Sequence, residues 1–135
     1  QVIDGSQTDF PVLAFRMGET YKGKSNRLFA QVLRAVFASE SNKPVRFRAY
    51  ASGTLTGGTW NYISEELSPM EYNNTATSYT PGLFIGSFPV AKQSTLEVSF
   101  GATNFRMYAG QTIIITATTD GNSEVVAGVN WKSFV

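Results

Sequence analysis

The sequence predicts an all-β protein: an antiparallel β-sandwich, jelly-roll-like, built from about nine or ten short strands. Three observations predict it. Apolar and polar residues alternate over strand-length runs, as at Val45, Phe47 and Ala49, which is the pattern of a half-buried strand. Those runs are bounded by turn formers, among them Gly53, Gly57, Gly58, Pro69, Pro81 and Gly82. Finally, the most regular run, residues 111–119 (QTIIITATT), is almost wholly β-branched, and no strand–helix–strand alternation interrupts the series.

Each element follows in turn. Residues 1–9 are polar and read as a loose N-terminal arm on a single domain spanning residues 1–135. FPVLAFRM (10–17) is a first strand, with Pro11 tolerated near its start or on an edge; residues 18–26 are a polar connection. Residues 27–39 (RLFAQVLRAVFAS) are ambiguous. Their apolar spacing fits a helical stripe, capped by Ser25 or Asn26. As a strand they carry Phe29, Gln31, Leu33, Ala35 and Phe37 on one face and a second, largely apolar face opposite. Periodicity favours the helix and the strand-rich company favours the strand, which is the assignment taken, with the helix as its alternative.

Residues 45–50 form a strand, and 53–58 are too glycine-rich to be strand throughout. Their glycines suit turn positions with φ > 0 or a bulge. TWNYI (59–63) and MEYN (70–73) are short strands either side of an acidic bend at 64–69. Residues 74–82 are expected to be a loop, and 83–90, 95–100 and 105–108 further strands. The Asp120–Gly121–Asn122 turn predicts an antiparallel hairpin between 111–119 and 124–132. Its register would place Ile114 and Val129 in or near the core, with Val125, Ala127, Val129 and Trp131 on the core-facing side.

Composition limits the chemistry. The chain has 135 residues, 42% of them hydrophobic and 16% charged, enough to bury a core without disulfides or metal. It contains no histidine and no cysteine, so imidazole acid–base catalysis, thiol chemistry and thiolate metal sites are excluded by inventory. Eleven basic and ten acidic residues leave a net charge of +1, without the basic stripe that phosphate neutralisation requires. Nucleic acid is therefore not an expected partner. No apolar run approaches the roughly 18 residues of a membrane helix. The chain begins at Gln1 rather than Met, as a processed product or a piece of a longer protein would.

The constellations that could carry chemistry are weak. Glu65 and Glu66 are adjacent, so on a strand they would point to opposite faces rather than converge on a scissile bond. Asp120 and Glu124 lack the spacing of a calcium loop. LTGGTW has no Lys-Ser/Thr behind it, so it is not a phosphate-binding loop. No cofactor, metal or catalytic residue is expected. The sequon Asn73–Asn74–Thr75 would matter only in a secretory route. What stands out is an aromatic set in or beside loops: Trp60, Tyr62, Tyr72, Tyr79 and Tyr108. Aromatics supply rigid contact area with a polar handle, suited equally to glycan stacking and to protein interfaces.

Taken in order, VRFRAY, LTGGTW, SPMEYNNTAT, GLFIGSFPV, FRMYAGQTIIITATT and VNWKSF resemble the β-rich terminal or decoration domains of structural proteins from tailed bacteriophages. The resemblance covers residues 44–134 and rests on order and spacing. It implies a non-enzymatic virion component, in a fibre, receptor-binding or tail-associated position, that assembles with copies of itself or with other virion proteins. Homotrimers are common at such fibre tips. A host-surface glycan or protein would be the external partner. The resemblance transfers no binding residues. Loop position and residue type nominate Trp60, Glu65, Asn73, Asn74 and Tyr79 as receptor or partner contacts. A capsid decoration (cement) protein and a free carbohydrate-binding module are the alternative functions.

Overall fold

The two larger sheets of this chain face each other across a core shared by both, as a computed structural model shows. It describes residues 2–3, 10–17, 20–21, 24–25, 29–40, 43–51, 53–62, 70–99, 106–108, 111–119 and 123–134. Every described element is a strand: β1 (Val2–Ile3), β2 (Phe10–Met17), β3 (Thr20–Tyr21), β4 (Lys24–Ser25), β5 (Phe29–Ser39), β6 (Val45–Ala51), β7 (Thr54–Thr56), β8 (Asn61–Tyr62), β9 (Met70–Asn73), β10 (Ser78–Thr80), β11 (Leu83–Val90), β12 (Ser94–Ser99), β13 (Arg106–Tyr108), β14 (Thr112–Thr119) and β15 (Ser123–Phe134). All pairings are antiparallel.

The six-stranded sheet runs β11-β6-β14-β2-β9-β8, and the five-stranded sheet runs β1-β15-β5-β12 with β13 also on β5. Consecutive strands repeatedly cross between the two, from β5 to β6, β11 to β12, β13 to β14 and β14 to β15. Crossing of this kind, rather than meandering within one sheet, is the jelly-roll-like feature of the wiring. Within residues 27–39, balanced between helix and strand in the sequence, Phe29–Ser39 is the central strand of the second sheet, and 27–28 lie outside the described residues. Ala35, Phe37 and Ser39 are buried on one face while Val36 and Ala38 are half-buried on the other. Pairing with β15, β12 and β13 satisfies the backbone on both edges, which overrides the helical spacing.

The expected hairpin between β14 and β15 is not formed. β14 pairs with β2 and β6, whereas β15 pairs with β5 and β1. The reason lies in β14 itself. Five consecutive residues, 113–117, are buried, so the strand is covered on both faces and takes a central place with a neighbour on each edge. Ile114 is fully buried as expected; the Asp120–Asn122 turn and the side chains of Val129 and Trp131 lie outside the described residues.

Phe37 joins the layers. Its ring lies 5.0 Å from Phe47 and 5.0 Å from Phe88, stacked on the latter at 15°. Phe37 belongs to one sheet, and Phe47 and Phe88 are directly opposite each other in the other. Val12, Phe15, Met17, Ala35, Val45, Met70, Val90, Met107, Ile113, Ile115, Ala117 and Val125 complete the core. Pro11 sits where its missing N–H is harmless, since β9 pairs only with 14–17 and Val12 is bulged between Pro11 and Leu13 against β14. The turn from β5 to β6 is held from beneath: the buried Ser39 hydroxyl donates to the Lys43 carbonyl at 2.7 Å, and Thr119 to the Pro44 carbonyl at 3.3 Å.

Candidate functional site

A strap across the outer face of the six-stranded sheet organises the candidate site. The chain leaves β6, which lies beside β14, and reaches β8 and β9, which lie beyond β2. It therefore crosses β14 and β2 on the way out and again on the way back to β11. The outgoing β7 and the returning β10 pair, with Thr54↔Thr80 and Thr56↔Ser78. Residues 74–82 are thus not simply a loop. Their strand was hidden because Ser78, Tyr79 and Thr80 show no apolar alternation. Beneath the strap, Ala14 and Ile114 are buried although they face away from the inter-sheet core. A Cβ on Gly53 would lie 2.7 Å from Ile114 Cδ1 and from the Thr80 carbonyl, so the strap approaches that closely only because residue 53 is glycine.

The strap ladder and the β8–β9 ladder are out of step. Between Thr56↔Ser78 and Asn61↔Tyr72, residues 57–60 on one side face residues 73–77 on the other. Asn73 absorbs the mismatch. Its Oδ1 accepts the N–H groups of Thr75 and Ala76 at 3.0 and 3.1 Å and the Thr75 hydroxyl at 3.4 Å. Its Nδ2 donates to the Gly57 carbonyl at 3.4 Å. Thr59 N–H donates to Thr75 Oγ1 at 3.0 Å, and Thr77 N–H to the Thr56 carbonyl at 3.1 Å. An asparagine side chain bonding two and three residues ahead makes an Asx turn. Gly57 and Gly58 have φ of 77° and 74°, the turn conformation expected of them.

Beside this turn, Arg16 and Glu71 are cross-strand partners. Arg16 Nε and Nη2 donate to the two Glu71 carboxylate oxygens at 3.1 and 3.4 Å, and the guanidinium carbon lies 4.0 Å over the Trp60 ring. At the strap's other end Tyr79 packs on Tyr50 at 5.8 Å, and Tyr50 on Phe84 at 5.7 Å. Phe84 and its neighbour Leu83 open β11, the edge strand of the sheet, and are 52% and 74% exposed.

The sequence-nominated contacts are therefore divided. Asn73 is only 2% exposed and its amide is spent within the turn. This corrects its nomination as a surface contact, and in the folded chain it offers no glycosylation acceptor. Trp60 is half-buried, with one ring face occupied by Arg16. Asn74 is exposed and borders a groove with Val12, Leu13, Val125, Val126 and Ala127, at the opposite end of the strap from Tyr79. Tyr79 is half-buried in the aromatic cluster. Glu65 lies outside the described residues. Sequence reasoning did not nominate Leu83, Phe84 or Tyr50 as contacts, because it looked for them in loops and these three lie on strands β11 and β6.

Nothing in this arrangement resembles a reaction centre. The Asn74 groove has no ionisable side chain in its lining, and a second, lined by Pro44, Val45, Arg46, Pro89, Val90, Thr118 and Thr119, has Arg46 alone. Among the described residues no group of three or more carboxylates gathers as a metal site, and no helix is long and apolar enough to cross a membrane. Comparison of the chain with protein-family models, with curated proteins and with solved structures gave no match.

Proposed function

We propose that this chain is a non-enzymatic structural component of a bacteriophage virion, a fibre, receptor-binding or tail-associated β-sandwich that works by assembling with copies of itself and with other virion proteins. The observation that carries the assembly reading is the exposed pair Leu83 and Phe84 at the head of edge strand β11, backed by Tyr50 and Tyr79. Phe84 shares the outer face with Tyr50 and Tyr79, whereas Leu83, opposite Ala51, is exposed on the other face of the strand; exposed aromatics backed by further aromatics are what interfaces use as anchors. The virion context is supported by the likeness of residues 44–134 to tailed-phage structural domains, and by a sandwich whose sequence holds neither histidine nor cysteine. Its external partner is a glycan or protein of the host surface.

Competition for adsorption tests the attachment role. The purified chain, added in excess, should reduce particle adsorption to host cells, and Tyr79→Ala should weaken that competition about tenfold, the loss expected of one aromatic anchor. Failure of the purified chain to compete would refute host attachment. Raised heat sensitivity of particles lacking the chain, together with unchanged adsorption, would favour the head-decoration alternative. The carbohydrate-module alternative draws on Trp60, but Arg16 covers one face of that ring.

A further inference from the structure

We infer that the outer face of β6 binds an acidic polysaccharide, with Arg46 and Arg48 meeting its acid groups and Tyr50 and Tyr79 its sugar rings. The inference deepens the host-attachment reading above and rests on it. Tyr50, Arg48 and Arg46 are alternate residues of one strand, so their side chains leave the same face of the sheet. That face is the outer one, because Phe47, between the two arginines, is buried in the inter-sheet core. At the usual rise per residue, about 13 Å of strand separates Tyr50 from Arg46, a length that suits a chain of sugars better than one sugar.

Register extends the face onto the neighbouring strands. Tyr50 lies opposite Phe84 and Ile114, Arg48 opposite Ser87 and Thr116, and Arg46 opposite Pro89 and Thr118. The strap passes close over Ile114 at Gly53, and its Tyr79 packs on Tyr50. Away from the strap Arg46, Ser87 and Pro89 are exposed. Arg46 is also the ionisable side chain of the groove that Pro44, Pro89 and Thr118 help to line. The face therefore runs from an aromatic end to a cationic, concave one.

Charge selects the occupant. Strands β6, β11 and β14 and the strap strands β7 and β10 hold Arg46 and Arg48 but no aspartate or glutamate. Among the described strands of this sheet the carboxylate is Glu71, which Arg16 holds on β9, with β14 and β2 between it and β6. Guanidinium groups bind acid oxygens through paired N–H donors, and tyrosine rings supply flat contact area with a polar handle. An acidic polysaccharide brings the complement of both, sugar rings and acid groups spaced along one chain. The two arginines, about 7 Å apart along the strand, match charges that are spaced in this way. A nucleic-acid strand, with a phosphate about every 3.4 Å, would bring more charge than this face can meet.

The test is binding of the purified chain to polygalacturonate, hyaluronate and chondroitin sulfate, by isothermal titration calorimetry at low salt. Dextran, polyglutamate and a single-stranded thymidine oligonucleotide serve as comparisons. The variants are Arg46→Gln, Tyr79→Ala and, as a charge-matched control on β4, Lys24→Gln, each checked for folding by circular dichroism. The expected result is binding of an acidic polysaccharide but not of dextran, weakened about tenfold by Arg46→Gln and by Tyr79→Ala and unchanged by Lys24→Gln. Should Tyr79→Ala fail to fold, Arg46→Gln decides, since that side chain is exposed. No binding of any of the three polysaccharides overturns the inference, as does an equal loss in Lys24→Gln, which would make the effect one of net charge. Equally tight binding of polyglutamate or the oligonucleotide overturns the choice of a glycan. If the polysaccharides fail while the chain still competes for adsorption, host attachment stands and this surface does not; if both fail, both are overturned.

Discussion

Asn73 shows how much one side chain can decide. Its Oδ1 is the partner of the Ala76 N–H, and Ala76 is buried. Removing that acceptor leaves a buried donor unpaired, which costs about 1–3 kcal/mol. Asn73→Ala should therefore lower stability by that order in urea denaturation, with the disturbance centred on the strap. Gly58 has a related constraint. A Cβ there would lie 2.5 Å from the Ala76 nitrogen and from Asn73 Oδ1, at φ +74°, so Gly58→Ala should destabilise by more than the roughly 0.4–1 kcal/mol that the same change gains at a compatible site. Thr116 predicts the opposite sign. It is fully buried and its hydroxyl has no hydrogen-bond partner. A Thr116→Val variant keeps the shape and removes an uncompensated polar atom, so its melting temperature should be unchanged or higher. A clear fall in melting temperature would show that the hydroxyl is satisfied in solution.

At the scale of elements, alternation was a good guide wherever a strand has one wet face. β6 is the clear case, with Val45, Phe47 and Ala49 buried and Arg46 exposed. The guide failed where tertiary structure covers a second face or leaves an expected one bare. β14 is buried on both sides because the strap lies over it, and nothing local to 111–119 announces a strap contributed by residues 54–56 and 78–80. β10 went unread because its residues are polar, and its pairing with β7 depends on the Asn73 turn. The nominated site suffered from the same long-range effect: loop position picked out Tyr79 but also Asn73, whose burial depends on strands far apart in sequence. Two measurements address elements directly. Phe37→Ala removes the ring that joins the sheets and should cost about 3–5 kcal/mol, with both sheets still unfolding in one transition. Hydrogen exchange should be faster at the amides of the strap ladder than at those of β14, because the strap is narrow and largely solvent-exposed. Equal protection in the two would contradict the picture of a strap laid over a finished sheet.

Across the whole molecule, the inter-sheet core lies apart from the surface proposed for recognition. The inter-sheet core, centred on Phe37, Phe47 and Phe88, holds the sandwich together. The strap end at Tyr79, Tyr50 and Phe84 lies on the outer face, away from that core, which is where a binding surface is best placed. The function proposed above has the molecule act through what it packs against. The most direct test of that account is the protein composition of purified phage particles from cells that produce the chain, by quantitative mass spectrometry. The account predicts that the chain co-purifies with the particle through a density gradient, in a fixed ratio to the major capsid protein. Its absence from particles, with the chain remaining in the lysate, would contradict it.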